Sequence, residues 1–331
     1  MNISIKDIAK QTGYAVSTVS RVLNGKGHFS KEAEIKIKQA AKELGYHQNP
    51  LALGMKTGSL SMIAIIVPDI MNAYYAQLVE TCERILFKAG YLTIICSSDR
   101  NPDTEKRYVE KLGHGLVSGL IIISSLEVKD KFPNYDLPTV YIDRFPKLKD
   151  GIVCVASDNY QGGALAANHL IDTGTYPIMI TTARDNFSTN EKRILGFSDT
   201  CQSRGLEPNV IKMSATSEEL DLEAERDNFD AKISELLNQH ERVGIFCIND
   251  NLAAFLYQEA LMSGYKVPEQ VAIVGFDGSA KSRELGITTI RQDINTICNV
   301  CCSNLLSMIH KSKVYDASQT IPVSLIKRKT T

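Results

Sequence analysis

The feature that most constrains the fold is a regular alternation of short apolar runs and longer helical patterns from residue 62 onward. The first run, Met62–Val67, is apolar throughout, as expected of a strand that is buried on both faces. Strands are also predicted at 92–96, 119–124, 139–142, 153–156, 178–182, 243–248, 271–274 and around 320–326, and helices at 73–89, 103–114, 160–173, 190–204, 221–239 and 250–263. This alternation predicts parallel sheets with helices on both faces, arranged as two lobes of similar build.

A different pattern occupies residues 5–24, where apolar residues recur at three- and four-residue steps on both sides of Gly13. Ser4 and Asp7 can form a capping box for the first helix, and Gly13 permits a sharp turn before the second. A third helix is predicted to end at Gly45, a left-handed cap. Such a unit places its second helix in the major groove of DNA, although periodicity alone is equally compatible with an ordinary helical hairpin.

The net charge of −1 for the 331 residues conceals an uneven distribution. Residues 1–60 hold nine Lys/Arg and four acidic residues, so this segment carries +5 and the remainder −6. A basic head on an acidic body suits a protein whose small N-terminal part meets phosphate. Because no apolar run approaches the roughly 18 residues of a membrane span, and no signal-peptide pattern occurs, we expect a cytoplasmic protein without membrane contact.

The eight cysteines are predicted to be buried thiols rather than a disulfide framework. Cys298, Cys301 and Cys302 form the main cluster, but no second close-spaced Cys or His pair accompanies them, so we predict no metal. The pair Gly162-Gly163 precedes no Lys-Ser/Thr and predicts close packing at a helix start. The first strand is followed by no Gly-x-Gly-x-x-Gly motif, and we expect neither a cofactor nor an enzyme.

Residue identities narrow this interpretation. The head carries Thr18-Val-Ser-Arg-Val-Leu-Asn24, Leu44-Gly-Tyr46, Asn49-Pro50 and Lys56-Thr-Gly58. The body carries Val67-Pro-Asp69, Asp158-Asn-Tyr-Gln-Gly-Gly163, Arg193-Ile-Leu-Gly-Phe197, Asn249-Asp250, Val274-Gly-Phe-Asp277 and Thr288-Thr-Ile-Arg-Gln292. In these segments the chain resembles the lactose/galactose repressor (LacI/GalR) family of bacterial regulators. The resemblance implies an α/β protein with a three-helix helix-turn-helix head and a two-lobed body with parallel sheets, similar to type I periplasmic binding proteins.

The resemblance also implies the domain organisation. Residues 1–46 are expected to bind DNA, residues 47–61 to form a connector with a short helix, and residues 62–331 to bind an effector and to dimerise. The first lobe is expected to comprise about 62–157 and 292–317, and the second about 158–291 and 318–331. One head makes few contacts, so we expect a homodimer that engages the two half-sites of a pseudo-palindromic operator.

In the head, the resemblance implies base-edge contacts by Val16, Ser17 and Arg21. Arginine can pair with O6 and N7 of guanine, and valine can touch a thymine methyl group. Phosphate contacts, which position the head without reading sequence, are expected from Lys6, Ser20, Asn24 and Lys31. The alternative for Arg21 is a solvated helix residue.

Two departures from the family pattern lie in the head and the connector. Ala15 stands where relatives have a serine at the start of the second helix, which removes an N-cap of about 1 kcal/mol. The connector reads Ala52-Leu-Gly-Met55 in place of Ala-Arg-x-Leu. Met55 can still act as an apolar wedge in the minor groove, whereas glycine disfavours the short helix by roughly 1 kcal/mol. We therefore expect weaker or differently bent operator binding than is usual for the family.

Ligands of open parallel sheets bind beyond the carboxyl ends of the strands, and polar or aromatic residues follow several of the predicted strands. The family resemblance implies effector contacts by Asn72, Asp143, Thr189, Arg193, Asn249 and Asp277. Tyr74, Tyr75 and Phe187 are added as aromatic candidates near strand ends. Carboxylates, an amide, a guanidinium and aromatic rings suit a sugar, with or without phosphate, and a purine is the alternative. Each acidic residue could instead be a helix N-cap or a partner in a loop salt bridge.

The resemblance therefore implies a transcriptional regulator, expected to repress a sugar-utilisation operon, whose operator affinity depends on a sugar-like effector held between the lobes. A ligand can shift such an equilibrium only by its differential affinity for the two states. Release of DNA by the sugar is the expected response, and a purine or sugar-phosphate corepressor is the alternative. A solute-binding protein would fit the body but not the basic head, and a doubly wound enzyme is compatible with the fold alone.

Overall fold

The computed structural model describes residues 3–25, 27–46, 61–126, 137–144, 153–182, 188–213, 223–312 and 318–331. The contacts divide the chain into two compact units, Met1–Leu60 and Ser61–Thr331. The boundary between them falls at the end of the expected connector. The two units have separate hydrophobic cores.

The N-terminal unit contains three helices: α1 (Ile5–Thr12), α2 (Val16–Leu23) and α3 (Lys31–Glu43). They enclose a small core of apolar residues, Ile8, Ala9, Val19, Val22, Ala33, Ile37, Ala40 and Ala41. The predicted cap of α1 is confirmed, because the Ser4 N–H donates to Asp7 Oδ2 at 2.8 Å. Gly13 has the predicted left-handed backbone, with φ of 77°. The three-helix head is therefore confirmed.

The body alternates strands and helices as the sequence predicted. Its strands are β1 (Met62–Val67), β2 (Leu92–Ser97), β3 (Gly119–Ile122), β4 (Thr139–Ile142), β5 (Val153–Ser157), β6 (Tyr176–Thr181), β7 (Asn209–Lys212), β8 (Val243–Cys247), β9 (Val271–Asp277), β10 (Thr288–Arg291), β11 (Ser318–Ile321) and β12 (Ser324–Ile326). Its helices are α4 (Ala73–Lys88), α5 (Pro102–Gly113), α6 (Asn159–Asp172), α7 (Ser188–Ser203), α8 (Glu223–Leu237), α9 (Asp250–Met262), α10 (Ala280–Glu284) and α11 (Ile294–Ile309). The short elements β7, β10 and α10 were not predicted.

These strands form two six-stranded sheets, one in each lobe. The first has the order β11-β5-β4-β3-β1-β2, and all its neighbouring strands are parallel. The second has the order β12-β10-β9-β8-β6-β7 and is parallel except for β12, which runs antiparallel to β10. The predicted two-lobed body with mainly parallel sheets is thus confirmed. All the carboxyl ends of the parallel strands within one sheet lie at the same edge.

The chain passes between the lobes after β5, after β10, and between β11 and β12. The expected last boundary, at residue 318, is wrong: β11 pairs with β5 in the first lobe, so the passage falls at residues 322–323. The single strand expected around 320–326 is two strands in different sheets. Pro322 lies between them, and because proline has no N–H to donate to a sheet, it favours the end of a strand.

Two predictions about packing are confirmed. All eight cysteines are free and buried, and Cys298, Cys301 and Cys302 lie on α11 within the first-lobe core. A Cβ on Gly162 would lie 2.4 Å from Phe276, and one on Gly163 would lie 2.1 Å from a backbone oxygen of α7. The glycine pair therefore permits close helix packing. Among the described residues, no helix is long and apolar enough to cross a bilayer, and no cluster of potential metal ligands occurs.

Candidate functional sites

The outer face of α2 presents the three residues that were expected to contact bases. Val16, Ser17 and Arg21 are all exposed. Val16 is 46% exposed although it is apolar and begins a helix whose other valines are buried in the head core. Its position is therefore not explained by packing within the head. Lys6, near the start of α1, and Lys31, at the start of α3, are also exposed.

Two further candidates, Ser20 on α2 and its C-cap residue Asn24, are hydrogen-bonded to each other. Asn24 Nδ2 donates to the backbone oxygen of Ser20 at 2.6 Å and lies 3.2 Å from its hydroxyl. Ala15 has the extended backbone of an N-cap residue but supplies no side-chain acceptor, as expected. By contrast, Ser30 Oγ accepts a hydrogen bond from the Ala33 N–H at the start of α3.

A pocket lies between the two lobes, where strands of both sheets end, and holds about 820 Å³ of empty space including its open mouth. Eight of the nine expected effector-binding residues line it: Asn72, Tyr74, Tyr75, Asp143, Thr189, Arg193, Asn249 and Asp277. The ninth, Phe187, lies outside the described residues, as does Met55 of the connector. The strand-end rule and the family resemblance together thus selected side chains from both lobes that the fold brings together.

Gln292 joins the carboxylates of the two lobes. Its Nε2 donates to Asp277 Oδ1 at 2.9 Å, and its Oε1 accepts from Ser157 Oγ at 2.5 Å. Asp143 accepts the backbone N–H of Ser157 at 2.9 Å and a short hydrogen bond from the Tyr74 hydroxyl. Gln292 was not among the expected site residues. It directly follows β10, a strand that the sequence analysis did not predict, so the strand-end rule had no strand to apply to at this position.

Both carboxylates project from unusual backbone. Asp143 has φ of 58° and Asp277 has φ of 121°, a region that non-glycine residues adopt only where the surroundings impose it. The turn after Asp277 is held by buried Asp250, whose carboxylate accepts the Ser279 N–H at 2.7 Å and the Thr289 hydroxyl at 2.6 Å. The strained backbone and the buried acceptor Asp250 therefore fix the direction of the Asp277 carboxylate.

Arg193 is the buried cation of the pocket. Its Nε donates to Asn159 Oδ1 at 2.8 Å and its Nη1 to the Ile248 carbonyl oxygen at 2.6 Å. The guanidinium carbon lies 3.5 Å from the centroid of the Phe276 ring. These contacts hold the guanidinium in one plane, because they engage both of its edges and its face.

Burial sets the protonation of the pocket acids and bases. It raises the pKa of Asp277 to about 8, against the opposing effect of the Arg193 charge. Burial lowers the pKa of Arg193, which the negative charges of Asp277 and Asp143 oppose. It also raises the pKa of Tyr74 well above its usual value, reinforced by the charge of Asp143. The Tyr74 hydroxyl therefore keeps its proton at neutral pH and can donate it to Asp143.

A helix N-cap is an alternative role for a polar residue at a strand end, and two of the candidate asparagines have this role. Asn72 Oδ1 accepts the Tyr74 N–H and so caps α4, while Asn249 Oδ1 accepts the Leu252 N–H and caps α9. Both amides also line the pocket. Asp143 and Asp277 make their hydrogen bonds within the pocket network instead. Five further polar residues line the pocket but were not among the candidates: Arg100, Ser125, Arg144, Thr182 and Asn190.

A three-helix head with an exposed second helix, followed by a two-lobed body with a polar pocket between its sheets, defines a class: helix-turn-helix regulators built on a binding-protein fold. Comparison with known proteins agrees. Residues 4–49 match the model of bacterial regulatory proteins of the lacI family, and residues 167–331 match a periplasmic binding protein-like domain.

Curated relatives match over the full length. The sucrose operon repressor of Pediococcus pentosaceus is 32% identical over 99% of both chains. The ribose operon repressor of Halalkalibacterium halodurans is 31% identical over 99% of this chain and 97% of its own length. The lac repressor dimer bound to operator and the anti-inducer ONPF has the same fold, with a TM-score of 0.83 at 20% identity over 100% of this chain and 99% of its own. The chain belongs to the lacI family of bacterial regulatory proteins, and it is a DNA-binding transcriptional regulator.

Proposed function

We propose that this regulator represses a sugar-utilisation operon as a homodimer, and that a sugar bound between its lobes releases it from the operator. The observation that carries the proposal is the pocket network in which Gln292 links Asp277 of the second lobe to Ser157 and Asp143 of the first. Carboxylates and amides from both lobes can each bond a different hydroxyl of one polyol. A ligand held in this way stabilises one angle between the lobes.

The relatives support a sugar as the effector class. Two full-length relatives are named for sucrose and ribose operons. A structure from Alkaliphilus metalliredigens, 28% identical over 82% of this chain and 99% of its own, holds D-xylulofuranose and has a TM-score of 0.71. A sugar fits the hydroxyl-binding chemistry of the Asp143–Gln292–Asp277 network better than a purine does. We infer that the pocket binds its ligand without catalysing a reaction.

On the DNA side, Val16, Ser17 and Arg21 are proposed to contact base edges, because they share the exposed face of α2. The exposed lysines Lys6 and Lys31, together with Ser20 and Asn24, are proposed to meet phosphates. Two heads of a homodimer would engage two half-sites and gain affinity from their linkage. Met55 is proposed to wedge between base steps, and the proposal is tested by Met55→Ala: unchanged operator affinity and DNA bend angle would contradict it.

Operator binding in the presence of sugars tests the proposed function. Labelled promoter fragments would be titrated with the full chain by fluorescence anisotropy, alone and with sucrose, fructose, glucose, ribose or their monophosphates. We expect at least one compound to weaken operator binding, and Asp277→Ala to abolish that response while retaining the affinity of the ligand-free chain. Asp172→Ala, on the protein surface, is the matched control. Strengthened binding would indicate a corepressor, and no change with any compound would contradict effector control.

A further inference from the structure

The effector pocket has two chemically different ends, marked by two adjacent tyrosines. Tyr74 donates to Asp143 and its hydroxyl lies 3.1 Å from Gln292 Oε1, at the carboxylate end. Tyr75 packs instead against Arg144, whose guanidinium carbon lies 5.9 Å from the ring centroid. Arg100 lines the same pocket as Tyr75 and Arg144, and the positive charges of both arginines oppose the burial that raises the pKa of Tyr75.

A constrained turn supplies the first arginine of this end. Asp99 and Arg100 follow β2 with φ of 51° and 53°, two successive non-glycine residues in the left-handed region. Such a backbone conformation is strained for a residue with a Cβ and persists only where surrounding contacts impose it. Here the N–H groups of Ser98 and Arg100 donate to the carbonyl oxygens of Val67 and Pro68, both at 2.9 Å. The turn thus fixes Arg100 in the pocket wall.

The contacts around this turn orient its polar groups. Arg100 Nη2 donates to Asp69 Oδ2 at 2.8 Å, and this ion pair orients the guanidinium. Ser125, another lining residue, lies with its Oγ 2.7 Å from the Ser98 Oγ, and its N–H is held by buried Glu105. Two guanidinium groups and a fixed serine hydroxyl therefore line the same wall.

The charges of the lining residues are unequal. Arg100, Arg144 and Arg193 contribute three positive charges, whereas Asp143 and Asp277 contribute at most two negative ones; Asp69, which pairs with Arg100, does not itself line the pocket. Hydroxyl groups of a sugar are matched by the carboxylates and amides at the Tyr74 end and require no additional cations. Paired guanidinium groups instead match the geometry and charge of a phosphate, which accepts several N–H donors at once.

We propose that Arg100 and Arg144 form an anion subsite, and that the effector is a phosphorylated sugar whose ring lies at the carboxylate end and whose phosphate lies between these arginines. The inference rests on the proposed function, because it concerns the ligand of the same pocket. It adds the chemical class of the effector and the residues that select it. Ser125 contributes its hydroxyl to the same phosphate.

Matched ligand pairs test the proposal in the full chain. Affinities for glucose and glucose 6-phosphate, fructose and fructose 6-phosphate, and ribose and ribose 5-phosphate would be measured by isothermal titration calorimetry, with inorganic phosphate as a competitor. We expect at least one phosphate ester to bind about tenfold or more tightly than its parent sugar, the effect of one charge-assisted hydrogen bond. In Arg100→Gln/Arg144→Gln we expect that preference to fall below about twofold.

The control variant is Arg204→Gln, which also removes an arginine paired with an aspartate, here Asp172 at 2.9 Å on the surface. Arg144→Lys keeps the charge without the planar fork and should retain an intermediate preference, and the melting temperature without ligand reports folding of each variant. A phosphate preference that survives in the double variant, or its absence from the wild type, overturns the proposal. If a parent sugar still releases the operator, the proposed function stands and only the anion subsite fails.

Discussion

The exposed face of α2 and the pocket between the lobes are built in opposite ways. Val16, Ser17 and Arg21 stand in solvent on a helix that a small apolar core holds in place. Asp277 and Arg193 are buried, and each is fixed by several hydrogen bonds or ring contacts. Recognition by the head therefore needs only a stable scaffold, whereas recognition in the pocket and stability of the body depend on the same side chains.

Among variants that test this difference between the two regions, we expect Arg193→Ala to have the largest effect on stability. The substitution leaves Asn159 Oδ1 and the Ile248 carbonyl oxygen without their donor and removes the group that packs on Phe276, so we expect a loss of roughly 3 kcal/mol in the free energy of unfolding, with loss of the effector response. Urea unfolding of the full chain measures it. Arg204→Ala, which breaks a surface ion pair, should change stability by about 0.5 kcal/mol or less. Equal losses of unfolding free energy in Arg193→Ala and Arg204→Ala would show that the pocket side chain is no more important for stability than a surface one.

Asp277→Asn should produce a smaller, pH-dependent effect. Burial raises the pKa of Asp277 from 3.8 to about 8, so between these values the folded chain holds a proton that the unfolded chain has lost. Stability contributed by this carboxyl therefore falls as pH rises through the window. Asparagine cannot ionise and still offers an oxygen to Gln292. The free energy of unfolding of the variant, relative to that of the wild type, should therefore rise by on the order of 1 kcal/mol per pH unit and level off above the pKa of Asp277 in the folded chain.

Unfolding by urea at several pH values between 4 and 9 would measure this difference. Asp172→Asn serves as the surface control, since its side chain is 62% exposed. A constant difference between Asp277→Asn and the wild type across the whole range would show that Asp277 titrates as an ordinary carboxyl.

The smallest effect is expected in the head. Ala15 already has the extended backbone of an N-cap, with φ of −61° and ψ of 146°, so Ala15→Ser adds an acceptor for a free N–H at the start of α2 without rearrangement. We expect a gain of about 1 kcal/mol or less, seen as slower amide hydrogen exchange in α2. Ala15→Val, which cannot accept a hydrogen bond, is the control. Identical exchange in both variants would mean that this helix start needs no cap.

The difference between the regions also explains what the sequence could predict. The head is determined by local signals, such as the Ser4–Asp7 cap and Gly13, and the structure confirms its three helices. In the body, apolar runs located most strands, and strand ends together with the family resemblance located eight pocket residues. The link made by Gln292 joins residues from different lobes, and only the topology of the chain passages brings them together.

The wrong prediction of a single last strand and the missed pocket residue Arg100 both result from long-range contacts. Whether β11 and β12 form one strand or two depends on which sheet offers a free edge on each side of Pro322, and this is a property of the assembled lobes. Likewise, Arg100 reaches the pocket through a left-handed turn held by the neighbouring strand β1. Local sequence does not encode such long-range constraints in a form that periodicity can detect.

Selection of DNA from a random duplex library tests the central claim most directly, because it needs no effector. The purified full chain would be used at fixed salt, beside Arg21→Ala and Lys42→Ala, another exposed cation of the head. We predict that the wild type and Lys42→Ala enrich one sequence with two-fold symmetry, and that Arg21→Ala loses the preference at one base pair of each half-site, about 1–3 kcal/mol of discrimination. Enrichment of no symmetric sequence by the wild type, or the same sequence with equal discrimination in Arg21→Ala, would contradict the account.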